Sequence, residues 1–156
     1  MNYPIHYNLL GINGLIFGIL YIISGIIEFI SSIGVNLPDN LFTKLFTGDL
    51  FGSIALLTIG VIYTIGFKKS LDKEYNAVSY IYTASLLGLG IALIVILTIC
   101  SHAIGFLTGV EDYIEWNILE DISIYLILGI LSSITYYISI KNIPKSAIST
   151  NLTKNI

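Results

Sequence analysis

LLGINGLIFGILYIISGIIEFISSI, residues 9–33, is the stretch on which the fold turns. It carries a single charge, Glu28, and exceeds the roughly 20 apolar residues needed to cross a hydrocarbon core at about 1.5 Å per residue. Within it Gly11, Gly14, Gly18, Tyr21, Gly25, Glu28 and Ser32 recur at three- and four-residue steps, which puts them on one helix face. The remaining faces are mostly Ile, Leu and Phe. The stretch predicts a transmembrane helix, greasy outside and glycine-lined inside, against which other helices pack.

The 156-residue chain is 55% hydrophobic and 11% charged, with a mean hydropathy of +0.87. Soluble domains carry about 25% charged residues. One transmembrane domain over 1–156 is therefore expected, with the lipid bilayer as its main partner and no soluble domain. All seven basic residues are lysines. Phosphate recognition leans on the bidentate fork of Arg, and no basic stripe replaces it, so nucleic acid is not an expected partner. Cys100 is the single cysteine, which excludes an intrachain disulfide and a Cys-based metal cluster. In an apolar helix its plain role is that of a small hydrophobe. Residues 1–8 hold no Lys or Arg, and the apolar run is longer than a signal-peptide core, so the first helix is expected to be retained.

Further spans follow at 50–67, 78–104 and 122–140, each free of charge. Asp49 and Asp121 stand before the second and fourth spans as N-caps, and lysines follow both spans, as the helix dipole favours. The third span lies in an uncharged run from Tyr75 to Val110, longer than one crossing requires, so it tilts or projects. The loop at 68–76 is short and makes the second and third spans an antiparallel hairpin. Leu41, Phe42, Leu45 and Phe46 in one long loop, and Tyr113, Ile114, Trp116, Ile118 and Leu119 in the other, predict short amphipathic segments at the interface. The fold class is an all-α integral membrane four-helix bundle. Lys68, Lys69, Lys73, Lys141, Lys145 and Lys154 share one side and only Lys44 the other, which predicts a multi-pass cell-membrane protein with both termini cytoplasmic.

A shift of 72 residues superposes Asp49 on Asp121, Gly18 on Gly90 and Lys69 on Lys141. Two parallel hairpin repeats would produce this, as in parallel-repeat transporters. Chance matching in an Ile- and Gly-rich chain is the alternative.

Glu28 is the most informative single residue. A charged carboxylate at the centre of a membrane helix costs about 2.5–3.5 kcal/mol, less near an end, and so marks a functional site by default. Ser24, Ser31 and Ser32 lie within a turn of it as potential donors; the plain alternatives are a carboxylate that reaches interface water or stays neutral. His102 falls on the same membrane side, with Thr98, Gly105 and Gly109 on its face. As a packing residue it needs only a hydrogen bond; paired with Glu28 it would bind a proton or cation. Cys100 and His102 point apart and cannot chelate one metal. His6 and His102 lie near opposite sides, so a bis-histidine haem is disfavoured and no cofactor is expected; whether a metal binds stays open. Asp49 with Ser53, Gly60 and Thr64, and Asp121 with Tyr125, Ser132, Tyr136 and Ser139, form polar faces that point inward. Gly11, Gly14, Gly18 and Gly25 serve close helix packing or, alternatively, line a groove. The acidic loop of Glu111, Asp112, Glu115, Glu120 and Asp121 either gathers cations or is simply solvated.

No Ser-His-Asp set, phosphate loop or HExxH motif occurs, so an enzyme is not expected. The sequence points to transport or binding of a small solute or cation through an intramembrane carboxylate, with Glu28, His102, Asp49 and Asp121 as ligand or proton-site candidates. The protein would act as a homo-oligomer or as a subunit of a membrane complex. The alternative is a non-catalytic accessory or scaffold subunit.

Overall fold

The glycine stripe and its aliphatic surroundings form one uninterrupted helix, α1 (Tyr7–Ser32). It is followed by α2 (Leu50–Leu71), α3 (Asn76–Leu107) and α4 (Ile124–Asn142). The computed structural model describes residues 7–35, 43–114 and 116–142. All four helices are long and apolar enough to cross a membrane. At about 1.5 Å per residue, the 32 residues of α3 reach about 48 Å, well beyond a hydrocarbon core of about 30 Å.

The helices exceed or shift from the expected spans by a few residues. α2 runs on to Leu71, so Lys68 and Lys69 form its last turn, where their charge meets the unpaired carbonyls. α4 begins at Ile124, and Asp121 lies outside it. The lysine-bearing end of the bundle holds Lys68, Lys69, Lys73 and Lys141. The opposite, acidic end holds Glu28, Asp49, Glu111, Asp112 and Asp121. Leu41 and Phe42 lie outside the described residues. Elsewhere in the two loops at the acidic end, the described segments form single 3-10 turns, Thr43–Leu45, Glu111–Tyr113 and Ile118–Glu120. Such short runs cannot propagate into regular helices.

α1 packs along α2, and α3 along α4, as two hairpins; α2 joins them through α3, while α1 meets α3 and α4 over shorter stretches. Lipid is as apolar as Leu, so association rests on close packing and interhelical hydrogen bonds. Small residues supply the closeness. A methyl group at Gly60 would sit 2.9 Å from Ile22 N and 3.1 Å from Gly18 O, and one at Gly129 would sit 2.6 Å from Gly88 O. Gly11, Gly14, Gly18 and Gly25 all lie buried against α2. Leu10, Phe17, Tyr21, Leu56, Ile59, Tyr63, Ile81 and Leu128 fill the space between the helices. Cys100 is exposed on α3, so it is no core hydrophobe.

Candidate functional site

Glu28 ends the buried stripe of α1 (Leu10, Gly11, Gly14, Phe17, Gly18, Tyr21, Ser24, Gly25, Glu28), about 6 Å short of the helix end, and is 0% exposed. Its partners come from the loop before α2. Buried Phe46 anchors that loop, and Gly48 turns it with φ 71°, in the left-handed region that favours glycine. On either side of the turn, the Thr47 hydroxyl donates to Glu28 Oε1 at 2.8 Å and the Asp49 N–H donates to the same oxygen at 2.9 Å. Asp49 caps α2: its two carboxylate oxygens accept from Phe51 N–H and Gly52 N–H at 3.0 Å each. Of the serines expected as donors, Ser32 is turned elsewhere. Ser32 donates to Phe29 O at 2.7 Å, the back-bond that helix geometry offers a serine.

The other oxygen, Glu28 Oε2, is buried with no hydrogen-bond partner, and so is Tyr125 Oη at the start of α4. The Tyr125 hydroxyl faces Glu28, Thr47 and Asp49. It fits there because residue 52 is glycine: a methyl at Gly52 would collide with the Tyr125 hydroxyl and lie 2.8 Å from Asp49 Oδ2. Three helices and one loop thus converge on a carboxylate whose valence is half filled.

His102 is not part of this cluster. Its Nδ1 lies 2.9 and 3.1 Å from the two oxygens of Asp121, and the Trp116 indole N–H donates to Asp121 Oδ2 at 2.7 Å. Tyr113 packs on the imidazole at 5.2 Å between centroids, with Trp116 edge-on at 6.5 Å. Glu28 and His102 therefore each have a different partner at the same end of the bundle. Asp121 is not the N-cap of α4 that its place directly before the uncharged run predicted, because α4 starts three residues later and the imidazole and indole occupy the carboxylate. Of the polar faces expected to point inward, Ser53, Gly60, Tyr125, Ser132 and Ser139 are buried. Thr64 is exposed, its hydroxyl folded onto Gly60 O at 2.8 Å. Tyr136 is half-buried and stacks on Tyr82 at 5.4 Å.

Midway along the bundle lies a hydroxyl cluster whose tyrosines the sequence reading did not single out as site residues. Tyr21 Oη and Ser132 Oγ are 2.8 Å apart, and Tyr63 Oη and Thr135 Oγ1 2.7 Å apart, with either atom of each pair able to donate. Tyr63 also donates to Ser132 Oγ at 3.3 Å, and Thr135 to Ser132 O at 2.9 Å. The cluster ties the first hairpin to α4. Tyr21 sits on the glycine stripe and Tyr63 one turn after Gly60, so both were visible as polar tips on a packing face. Between this cluster and Glu28 stand Leu56 and Leu128, both buried.

Among the described residues, no group of three or more His, Cys, Asp or Glu is arranged to hold a metal ion.

Residues 5–142 match the family model described as MJ0565 integral membrane domain. A protein of Methanocaldococcus jannaschii, "Uncharacterized protein MJ0565", is 46% identical over 125 residues, which cover 80% of this chain and 85% of that one. No solved structure matches the chain.

Proposed function

Given that the chain belongs to the MJ0565 integral membrane domain family, we propose that this multi-pass membrane protein binds and moves a small solute or cation, with Glu28 as its intramembrane carboxylate. One observation carries the proposal: Glu28 is fully buried, yet one of its oxygens is left without a partner. A buried acceptor in that state costs about 1–3 kcal/mol. A packing role would be served at lower cost by Gln or by an apolar residue. Asp49 lies exposed beside it, and the half-buried His102–Asp121 pair lies at the same end; both are groups at the mouth of the bundle. The lysines support an orientation with that mouth outside the cell and both termini in the cytoplasm. The hairpins read as repeats. In each, the residue ahead of the second helix meets a titratable side chain of the first, Asp49 through its backbone N–H to Glu28 and Asp121 through its carboxylate to His102, although the 72-residue shift itself sets Glu28 on Cys100.

The test is uptake of candidate ions and small neutral solutes into proteoliposomes. Wild type should show saturable flux that Glu28→Gln abolishes. Undiminished flux in Glu28→Gln would overturn the proposal.

A second reading, a subunit docked on a larger complex or on copies of itself, is favoured by α3, in which no residue from Leu93 to Leu107 is buried. Crosslinking through exposed Cys100 in native membranes tests it, since a docked subunit gives a discrete adduct and a lone bundle gives none.

A further inference from the structure

Resting on that reading of Glu28, we infer that the species it takes is a proton, carried on Oε2, drawn from and returned to water at the acidic end, with Tyr125 Oη as its hydrogen-bond partner in both states. Oε1 already accepts from the Thr47 hydroxyl and the Asp49 N–H, and those two hydrogens fill the lone pairs a metal ion would need. Each oxygen of Asp49 accepts one backbone N–H, from Phe51 and from Gly52, as the cap of α2. Among the described residues no three of His, Cys, Asp and Glu are grouped to hold a metal ion, whereas calcium takes about 6–8 oxygens and magnesium demands near-octahedral coordination. A proton needs one acceptor.

Its chemistry here is symmetrical. With Glu28 protonated, Oε2–H is a donor and Tyr125 Oη the acceptor facing it. With Glu28 ionised, the phenol O–H is the donor and Oε2 the acceptor. The only bond formed or broken is the O–H bond on Oε2. The electron pair stays on that oxygen, and the side chain passes between neutral and singly negative. In the conformation described, Oε2 and Tyr125 Oη each lack a hydrogen bond, and the phenol lies close enough to Glu28 to interact with it. The groups facing Glu28 are the carboxylate of Asp49 from the start of α2, the hydroxyl of Thr47 from the loop and the phenol of Tyr125 from α4. α3 carries no charged residue, and its His102 is engaged with Asp121.

Infrared difference spectra of the purified protein between acid and alkaline buffer, in H2O and D2O, test this. The expected result is a carbonyl band of a protonated carboxylic acid that moves on deuteration, vanishes in Glu28→Gln and shifts in Tyr125→Phe. Gly52→Ala, which pushes the phenol aside, should shift it too and serves if Tyr125→Phe fails to fold. If Glu28→Gln removes no band, or if the band stays unmoved in both tyrosine-displacing variants, the inference falls. Binding of radiolabelled sodium and calcium to the same samples separates the two levels. Glu28-dependent binding of either ion without the acid band overturns the proton and leaves the cation site standing. With no ion binding, no band and no flux, both fall.

Discussion

Replacing Glu28 by glutamine keeps the shape of the side chain and removes its charge. The amide oxygen still accepts from Thr47 and Asp49 N–H, and the NH2 group can donate toward Tyr125 Oη, so two orphaned atoms gain partners at once. Relieving a buried unpaired acceptor is worth about 1–3 kcal/mol in water-soluble proteins. Interhelical hydrogen bonds within membranes measure closer to about 0.6, with a maximum near 1.7 kcal/mol. The ionised side chain would have stronger bonds to its two donors, by roughly 1 kcal/mol each. Desolvation of a buried carboxylate opposes that by several kcal/mol, and the charged neighbour here, Asp49, has the same sign. The balance favours glutamine by about 1–2 kcal/mol. Glu28→Ala instead orphans the Thr47 hydroxyl and the Asp49 N–H, leaves Tyr125 Oη unpaired and opens a cavity, for a loss of about 2–4 kcal/mol. Unfolding in mixed micelles by rising dodecyl sulfate, followed by circular dichroism, reads both. A Glu28→Gln protein as unstable as Glu28→Ala would show that the ionised carboxylate stabilises the fold, and the burial argument would be refuted.

At the centre of the bundle, Ser132→Ala should destabilise by about 1–2 kcal/mol, because it strands Tyr21 Oη in a dry core, whereas Tyr63→Phe should do less, since Thr135 keeps its bond to Ser132 O; equal effects from the two would show that Ser132 is not the hub. Gly52→Ala should cost about 1–3 kcal/mol from overpacking, and Tyr125→Phe should recover part of that in the double variant, so strictly additive losses would place the phenol elsewhere. Trp116 is the single tryptophan, so its emission reports on the His102 cluster alone. Asp121→Asn or His102→Ala should shift that emission to the red and speed its quenching by acrylamide; unchanged spectra would mean that the indole is not held by Asp121.

The architecture was legible because a membrane helix announces itself locally. Its length and its three-four periodicity both sit within one segment, and the buried positions of α1 are the glycine stripe itself. The site was legible only as to its centre. Glu28 stood out by its cost, but its partners, Thr47 and Asp49 N–H, lie 19 and 21 residues away across a turn. Ser32 looked better placed, and helix geometry directs its hydroxyl to the Phe29 carbonyl. The Tyr63–Thr135 contact spans 72 residues and connects two hydroxyls that carry no charge to draw attention. Asp121 misled by its place directly before the uncharged run, since α4 starts three residues later and an imidazole and an indole take its carboxylate.

The hydroxyl cluster at mid-depth has a mechanical consequence. Tyr21–Ser132 and Tyr63–Thr135 can each reverse donor and acceptor without moving a heavy atom, so the cluster fastens the first hairpin to α4 while tolerating reorientation. A fastening of that kind is a fulcrum. From Ser132 to Tyr125 the lever arm is about 10 Å, and a rock of about 10° would displace its tip by roughly 2 Å, comparable to the difference between a made and an unmade hydrogen bond.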